Sequence, residues 1–433
     1  MRFASGDSVL VFAESVATMP ARSDPTMQTE TLKSPRARFD RDAGGFGLSG
    51  IPRLTSAGLK STFLSAIFLV GALAPAAHAD WTFAIMGDTR GYHDTTTGIS
   101  AYLTNISAKI AEMHPELVLV SGDQVNGNAT NGLTSLTYAQ QFDNWKTAMN
   151  PVYALNIPVY TVRGNHENHA DEGPPLLDLK QAYYDALGSH MPTNGPNNSV
   201  FDDQRGYTYS FAHNNATFMV VDQYFYPVST NGGYNSIDQT WLNQQLQQAD
   251  TPYKIVMAHE PVYIDHFYGT NTTGMANRAE FWDSLGTNGS SLYICGHTHN
   301  LSVSLAPDDA GNGIYQLLSG NGGAEPDTNA PVAEAGMSIL YSNTTHYGFA
   351  LATVGAEKMT IDYYLLNRAG DSWSKASYTT TISAVPEPSS VLLLAAGMLG
   401  LVPRRARRRA IDIASDGCRE QSAQAGQLGK TSR

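Results

Sequence analysis

Short apolar runs, most of them followed at once by a glycine or a histidine, punctuate most of the chain. Runs rich in Val, Ile, Tyr and Phe at 81–86, 116–121, 158–163, 207–212, 217–222 and 254–258 have the length and composition of strands. Between them, apolar positions recur at helical spacing over 98–114, 137–149, 176–187, 238–249 and 276–285, and Asp238 stands where a helix N-cap is wanted. This alternation predicts an α/β sheet covered by helices. Further runs at 291–295, 300–306, 313–318, 346–354 and 359–365 have little helix between them, which predicts a second, largely antiparallel sheet. No internal repeat is evident.

Both ends break this pattern. Residues 60–80 start with Lys60, continue through apolar Phe63–Leu73, and finish with Ala77-His78-Ala79 before Asp80. A basic start, an apolar middle and small residues at minus three and minus one make up a secretory signal, so 59–79 is expected to be a signal peptide cleaved after Ala79. Residues 1–58 precede it without sustained periodicity and are expected to be a disordered leader or a start placed upstream of the true one. At the other end, Val385-Pro386-Glu387-Pro388 leads into apolar Val391–Val402 and then five arginines between Arg404 and Arg409. That apolar stretch is shorter than the roughly 20 residues of a relaxed spanning helix, but the basic cluster behind it is the mark of a stop-transfer segment. These three parts in this order resemble the PEP-CTERM sorting signal. The resemblance implies a sorting or transmembrane segment at 384–409, transient contact with the inner membrane, and cleavage by an exosortase-type enzyme. The destination would be the periplasm, the cell surface or the medium of a Gram-negative bacterium. A disordered tail is expected over 410–433, and the body of the protein over 80–383.

Charge narrows the function of that body. The whole chain carries −12, yet residues 80–383 hold 11 Lys and Arg against 29 Asp and Glu, because the basic residues crowd the ends. So acidic a body lacks the basic surface that displaces phosphate counterions, which excludes non-specific nucleic-acid binding. The two cysteines, Cys295 and Cys418, are too few and too far apart for a disulfide framework. No Gly-x-Ser-x-Gly sequence supports a serine hydrolase.

The residues directly after the apolar runs are more informative. FAIM is succeeded by Gly87-Asp88, LVLVS by Gly122-Asp123, VYTVR by Gly164-Asn165-His166-Glu167, KIVMA by His259, and LYIC by Gly296-His297-Thr298-His299. Five predicted strands therefore deliver metal-ligand types at their carboxyl ends, where open α/β sheets form their sites. Any one of these pieces could be a turn, a cap or a core histidine. Together, two Asp, one Asn and three His make a mixed oxygen and nitrogen donor set suited to Zn²⁺, Mn²⁺ or Fe and too rich in nitrogen for Ca²⁺. Six donors exceed the four of one tetrahedral site and point to two ions sharing a carboxylate.

The ordered GD, GD, GNHE, His259 and GHTH blocks resemble the calcineurin-like metallophosphoesterase superfamily, over roughly residues 81–365. The resemblance implies a four-layer α/β/β/α sandwich of two mixed sheets with a dinuclear centre at the sheet rims. It implies that Asp123 bridges two divalent ions, that Asp88 and His299 bind the first, and that Asn165, His259 and His297 bind the second. His166 matches a non-ligand histidine that hydrogen-bonds the phosphate and protonates the leaving group, and the ions acidify a water that attacks phosphorus in line. The implied activity is hydrolysis of phosphomonoesters or phosphodiesters, the acidic surface favouring a small substrate; a catalytically silent surface protein on the same fold is the alternative. One position departs. The family pattern Asp-x-His is Asp88-Thr89-Arg90 here, and a guanidinium cannot ligate a metal. Arg90 is expected to clamp phosphate beside a weakened first site; substitution by His93 and an empty first site are the other outcomes.

Overall fold

A computed structural model describes residues 79–385, apart from 92–95, 128–135, 169–175, 198–202, 225–236, 264–277 and 329–330. Residues 1–78 and 386–433, which hold the expected leader, most of the signal peptide, most of the sorting segment and the tail, lie outside the described residues, as does His93. Among the described residues no helix is long and apolar enough to cross a membrane.

The first sheet is built around three parallel strands, β1 (Trp81–Met86), β2 (Leu117–Val120) and β3 (Val159–Thr161). The chain returns to its other edge late, as antiparallel β11 (Tyr347–Val354), β12 (Lys358–Leu366) and β13 (Trp373–Ser383), giving the order β13-β12-β11-β1-β2-β3. The second sheet contains β4 (Tyr209–His213), β5 (Ala216–Val220), β6 (Tyr253–Met257), β7 (Leu292–Cys295), β8 (Leu301–Pro307), β9 (Gly313–Ser319) and β10 (Ser338–Asn343). Their order is β10-β8-β9-β7-β6-β5-β4, with β5, β6, β7 and β9 parallel and the edges antiparallel.

Strand alternation sets the layers. On β1, Phe83 and Ile85 face the inter-sheet core with Phe218, Ile255 and Leu292, whereas Ala84 and Met86 face helices α1 (Leu103–Met113) and α2 (Tyr138–Ala148). Two further helices, α3 (Asn150–Tyr153) and α4 (Leu176–Ala186), complete that outer layer. On the far side, Met219, Val256 and Tyr293 pack against α5 (Gln239–Gln248) and α6 (Arg278–Thr287). The architecture is an α/β, four-layer α/β/β/α sandwich of two mixed sheets.

Local expectations hold where the pattern is strong. Asp238 caps α5, its carboxylate accepting the Trp241 N–H at 2.9 Å. Two expectations need correction. The later runs do not make a separate antiparallel sheet: β7–β10 extend β4–β6, and β11 returns to hydrogen-bond β1 with β12 added outside it. The first helix starts at Leu103 rather than 98, because Ile99 pairs with the backbone of Arg90 and the Ser100 hydroxyl accepts the Tyr102 N–H.

Candidate metal centre

The carboxyl ends of β1, β2 and β3 from one sheet and of β6 and β7 from the other converge. Asp88, Asp123, Asn165, His166, His259, His297 and His299 meet there with Arg90, so every residue singled out for the site is brought to one place. The glycines preceding the donors permit that convergence. A Cβ on Gly122, which sits at φ 103°, would run into His259 Nδ1, and one on Gly164 would run into the Asp123 carboxylate. Asp88, Asp123 and His297 themselves adopt φ of 55°, 51° and 73°. Left-handed backbone in non-glycine residues costs about 1 kcal/mol or more each and persists where surrounding structure enforces it, often at functional sites.

Hydrogen bonds assign the histidine tautomers. His259 Nδ1 lies 2.7 Å from the Ser121 carbonyl, which can only accept, so the ring proton is there and Nε2 carries a lone pair. Burial holds this imidazole below its ordinary value and keeps it neutral, against the pull of Asp123. Its Nε2 faces two other acceptors, Asn165 Oδ1 at 3.0 Å and Asp123 Oδ1 at 3.4 Å. His297 Nδ1 lies 2.9 Å from the same Asn165 oxygen. The lone pair of His259 and the two acceptor oxygens it faces repel unless a cation sits among them. Asp123, Asn165, His259 and His297 therefore fit a borderline divalent ion, the chemistry expected of an N and O set. Ligand atoms of Asp88, Asp123 and His259 also lie within 4.8 Å of one another.

Around Asp88 and His299 the picture differs. Asp88 is fully buried; its Oδ2 accepts the His297 N–H at 2.9 Å, while its Oδ1 has no hydrogen-bond partner among the described residues and lies 3.7 Å from His299 Nε2. Burial and the neighbouring Asp123 push this carboxyl well above its ordinary range, more than Arg90 brings it down. For Asp123, burial acts in the same direction but its neighbours, His166 first and Arg90 among them, overcome it and hold the carboxyl well below that range. His299 Nδ1 donates to the Glu325 carbonyl at 3.1 Å, and burial followed by Arg90 pushes its pKa down to about 3. The lone pair on His299 Nε2 meets Arg90 Nη2 at 3.1 Å, while Arg90 Nε donates to Asp123 Oδ2 at 3.3 Å. The guanidinium thus lies between Asp123 and His299, and only 5% of Arg90 is exposed.

His166 is set by two contacts. Its backbone N–H donates to Asp123 Oδ1 at 3.0 Å, and its Nδ1 donates to the Asn126 carbonyl at 2.7 Å, leaving Nε2 3.9 Å from Asp123 Oδ2.

Several positioning residues had no role assigned from the sequence. Glu167 binds three backbone N–H groups: Oε2 accepts from Asp123 and Gly164 at 3.0 and 2.7 Å, and Oε1 from Val125 at 3.0 Å. Burial and Asp123 push its carboxyl up to about 8 against those donors. The side-chain Oε1 of Gln223 accepts the His259 and Glu260 N–H groups at 2.9 and 2.7 Å, and the Asp327 carboxylate accepts that of His299 at 2.9 Å. After β9, Gly320-Asn321-Gly322-Gly323 folds onto the site, where Gly322 and Ala324 donate to the carbonyls of Gly87 and Asp88 at 2.9 and 2.7 Å. That loop repeats the signal that marked the others, glycine directly after an apolar strand.

Comparison with known proteins gives the family and the fold. The family model described as calcineurin-like phosphoesterase matches residues 82–301, and the PEP-CTERM protein-sorting motif matches 384–409. The rat (Rattus norvegicus) tartrate-resistant acid phosphatase type 5 is 22% identical over 321 residues, covering 71% of this chain and 91% of that protein. Among solved structures, a purple acid phosphatase from yellow lupin (Lupinus luteus) seeds aligns with a TM-score of 0.51 at 15% identity, over 71% of this chain and 54% of the lupin chain. This chain thus spans about half the length of the lupin protein. A structure of PhoD aligns with a TM-score of 0.51 at 16% identity, over 72% of this chain and 73% of that one. At these identities the two structures speak for the fold alone.

Proposed function

Because this chain belongs to the calcineurin-like phosphoesterase family, we propose that it is an exported, metal-dependent phosphoesterase that hydrolyses small phosphomonoesters or phosphodiesters. The observation that carries the reading is the convergence of Asp123 Oδ1, Asn165 Oδ1, His259 Nε2 and His297 Nδ1, in which the lone pair of His259 Nε2 faces two acceptor oxygens, an arrangement that a cation relieves. In this reading those four side chains hold one divalent ion, the second of the family's dinuclear centre, while Asp88, Asp123 and His299 mark the position of the first. When bound, such ions neutralise phosphate oxygens and make a water acidic enough to serve as nucleophile near neutral pH.

The remaining work falls to residues of the chain. Arg90 holds a permanent positive charge beside Asp123, where a phosphate oxygen would need it. His166, oriented through its Nδ1 bond to Asn126, turns Nε2 toward the centre and is the group that would protonate the leaving alkoxide. Glu167 and Gln223 fix the backbone that carries the donors. The sorting motif at 384–409 supports export and processing by an exosortase-type enzyme.

The test is to purify the full chain, measure bound metal, and assay 4-nitrophenyl phosphate and bis-4-nitrophenyl phosphate with Mn²⁺, with Zn²⁺ and with chelator. Turnover that chelator removes and metal restores is expected. Absence of both metal and turnover under every condition would leave the silent surface protein as the better reading.

A further inference from the structure

Resting on the phosphoesterase reading, we propose that Arg90 replaces one of the two cations, so that the centre holds a single divalent ion beside a built-in guanidinium charge. Two of the three donors a first ion would need, on Asp123 and His299, are already engaged. Arg90 Nη2 donates to His299 Nε2 and Arg90 Nε to Asp123 Oδ2, so the lone pairs that would face the ion face N–H groups instead. The side chain is fixed there: it is buried, its own N–H donates to the Asp123 carbonyl at 3.1 Å, and its backbone pairs with Ile99. A guanidinium stays protonated at every relevant pH and cannot step aside by losing its charge.

Asp123 keeps the bridging position but bridges unlike partners. Its Oδ2 meets Arg90, whereas its Oδ1 lies 3.4 Å from His259 Nε2, on the side of Asn165 and His297. Asp88 goes with the same single ion. Its buried Oδ1 has no hydrogen-bond partner among the described residues and stands 3.7 Å from His299 Nε2, and the carboxylate offers a ligand atom within 4.8 Å of those of Asp123 and His259. One divalent ion and one guanidinium then face the two carboxylates, where two ions and a guanidinium in that space would repel strongly. The centre therefore needs half the metal of a dinuclear one, and one of its two charges is insensitive to chelators.

Metal content and spectroscopy test this directly. The full chain is loaded with Mn²⁺, passed through metal-free buffer, and examined by elemental analysis and electron paramagnetic resonance. One ion per chain with the six-line spectrum of an isolated Mn²⁺ is expected. Arg90→His, which restores a ligand, should raise the content to two with the spectrum of a spin-coupled pair, whereas Arg90→Met, which removes the charge and adds no ligand, should stay at one. Two coupled ions in the unaltered chain overturn the inference and leave the phosphoesterase reading standing; no bound ion overturns both. If circular dichroism shows Arg90→His unfolded, the content and spectrum of the unaltered chain decide.

Discussion

Both oxygens of Glu167 accept backbone N–H groups, so a single carboxylate ties the turn that presents Asp123 to the turn that presents Asn165 and His166. Glutamine has nearly the same shape but offers one acceptor and two donors. In Glu167→Gln at least one buried N–H would face another donor, costing about 1–3 kcal/mol in stability and weakening metal affinity by roughly 10–100-fold. Urea unfolding and metal titration of the purified variant check both numbers. Unchanged affinity would mean that the donors are held without this carboxylate. At this scale the ligand types were legible, because a glycine and then a donor after each strand is a local pattern. The partners of Arg90 were not. That Arg90 reaches Asp123 and His299 depends on residues 33 and 209 positions away, and no spacing rule carries that information.

The elements are joined behind the centre by a second buried charge. Arg163, directly after the segment containing β3, forms a bidentate pair with Asp222, just past β5, at 2.6 and 3.2 Å; the two residues are 1% and 0% exposed. The Asp222 carboxylate also accepts the Tyr224 N–H at 2.8 Å, and the guanidinium lies over the Tyr207 ring. Burial would lower the Arg163 pKa, but Asp222 more than compensates and raises it. Asp222→Ala strands a buried cation between the sheets and should cost about 3–5 kcal/mol, whereas replacing both partners with apolar residues should cost much less. Equilibrium unfolding of the single and double variants measures the difference; equal losses in both would show that packing rather than pairing is at stake. The same non-locality explains what sequence could and could not supply about the elements. Runs with nearly every residue buried, such as β2 and β7, stood out. By contrast, β10 alternates exposed and half-buried residues around the short run Ile339-Leu340-Tyr341, and β13 is mostly Ser, Thr and Lys, so neither stands out as an apolar run of strand length. The sheet each strand joins was hidden as well, since β11 pairs with β1 across the whole length of the domain.

For the whole molecule, the centre is where the two sheets depend on each other. Asp88, Asp123 and Asn165 come from one sheet and His259, His297 and His299 from the other, so an ion held by both sets favours the assembled sandwich over any state in which the sheets part. The unfolded chain has no such arrangement, so binding energy becomes folding energy. At a free ion concentration about 100 times the dissociation constant, the gain is about 2.7 kcal/mol. It adds to the relief of repulsion in a body with 29 acidic and 11 basic residues. Adding chelator to the metal-loaded protein should therefore lower the melting temperature by several degrees, and excess Mn²⁺ or Zn²⁺ should restore it. Asp123→Ala removes an oxygen 3.4 Å from His259 Nε2 and the acceptor for both Arg90 and the His166 N–H, so it should melt lower and show no metal-dependent shift. Differential scanning calorimetry of both proteins, with and without chelator, separates a specific ion at the centre from general screening of surface acid. Screening would shift the two melting curves alike; a bound ion shifts only the chain that retains Asp123.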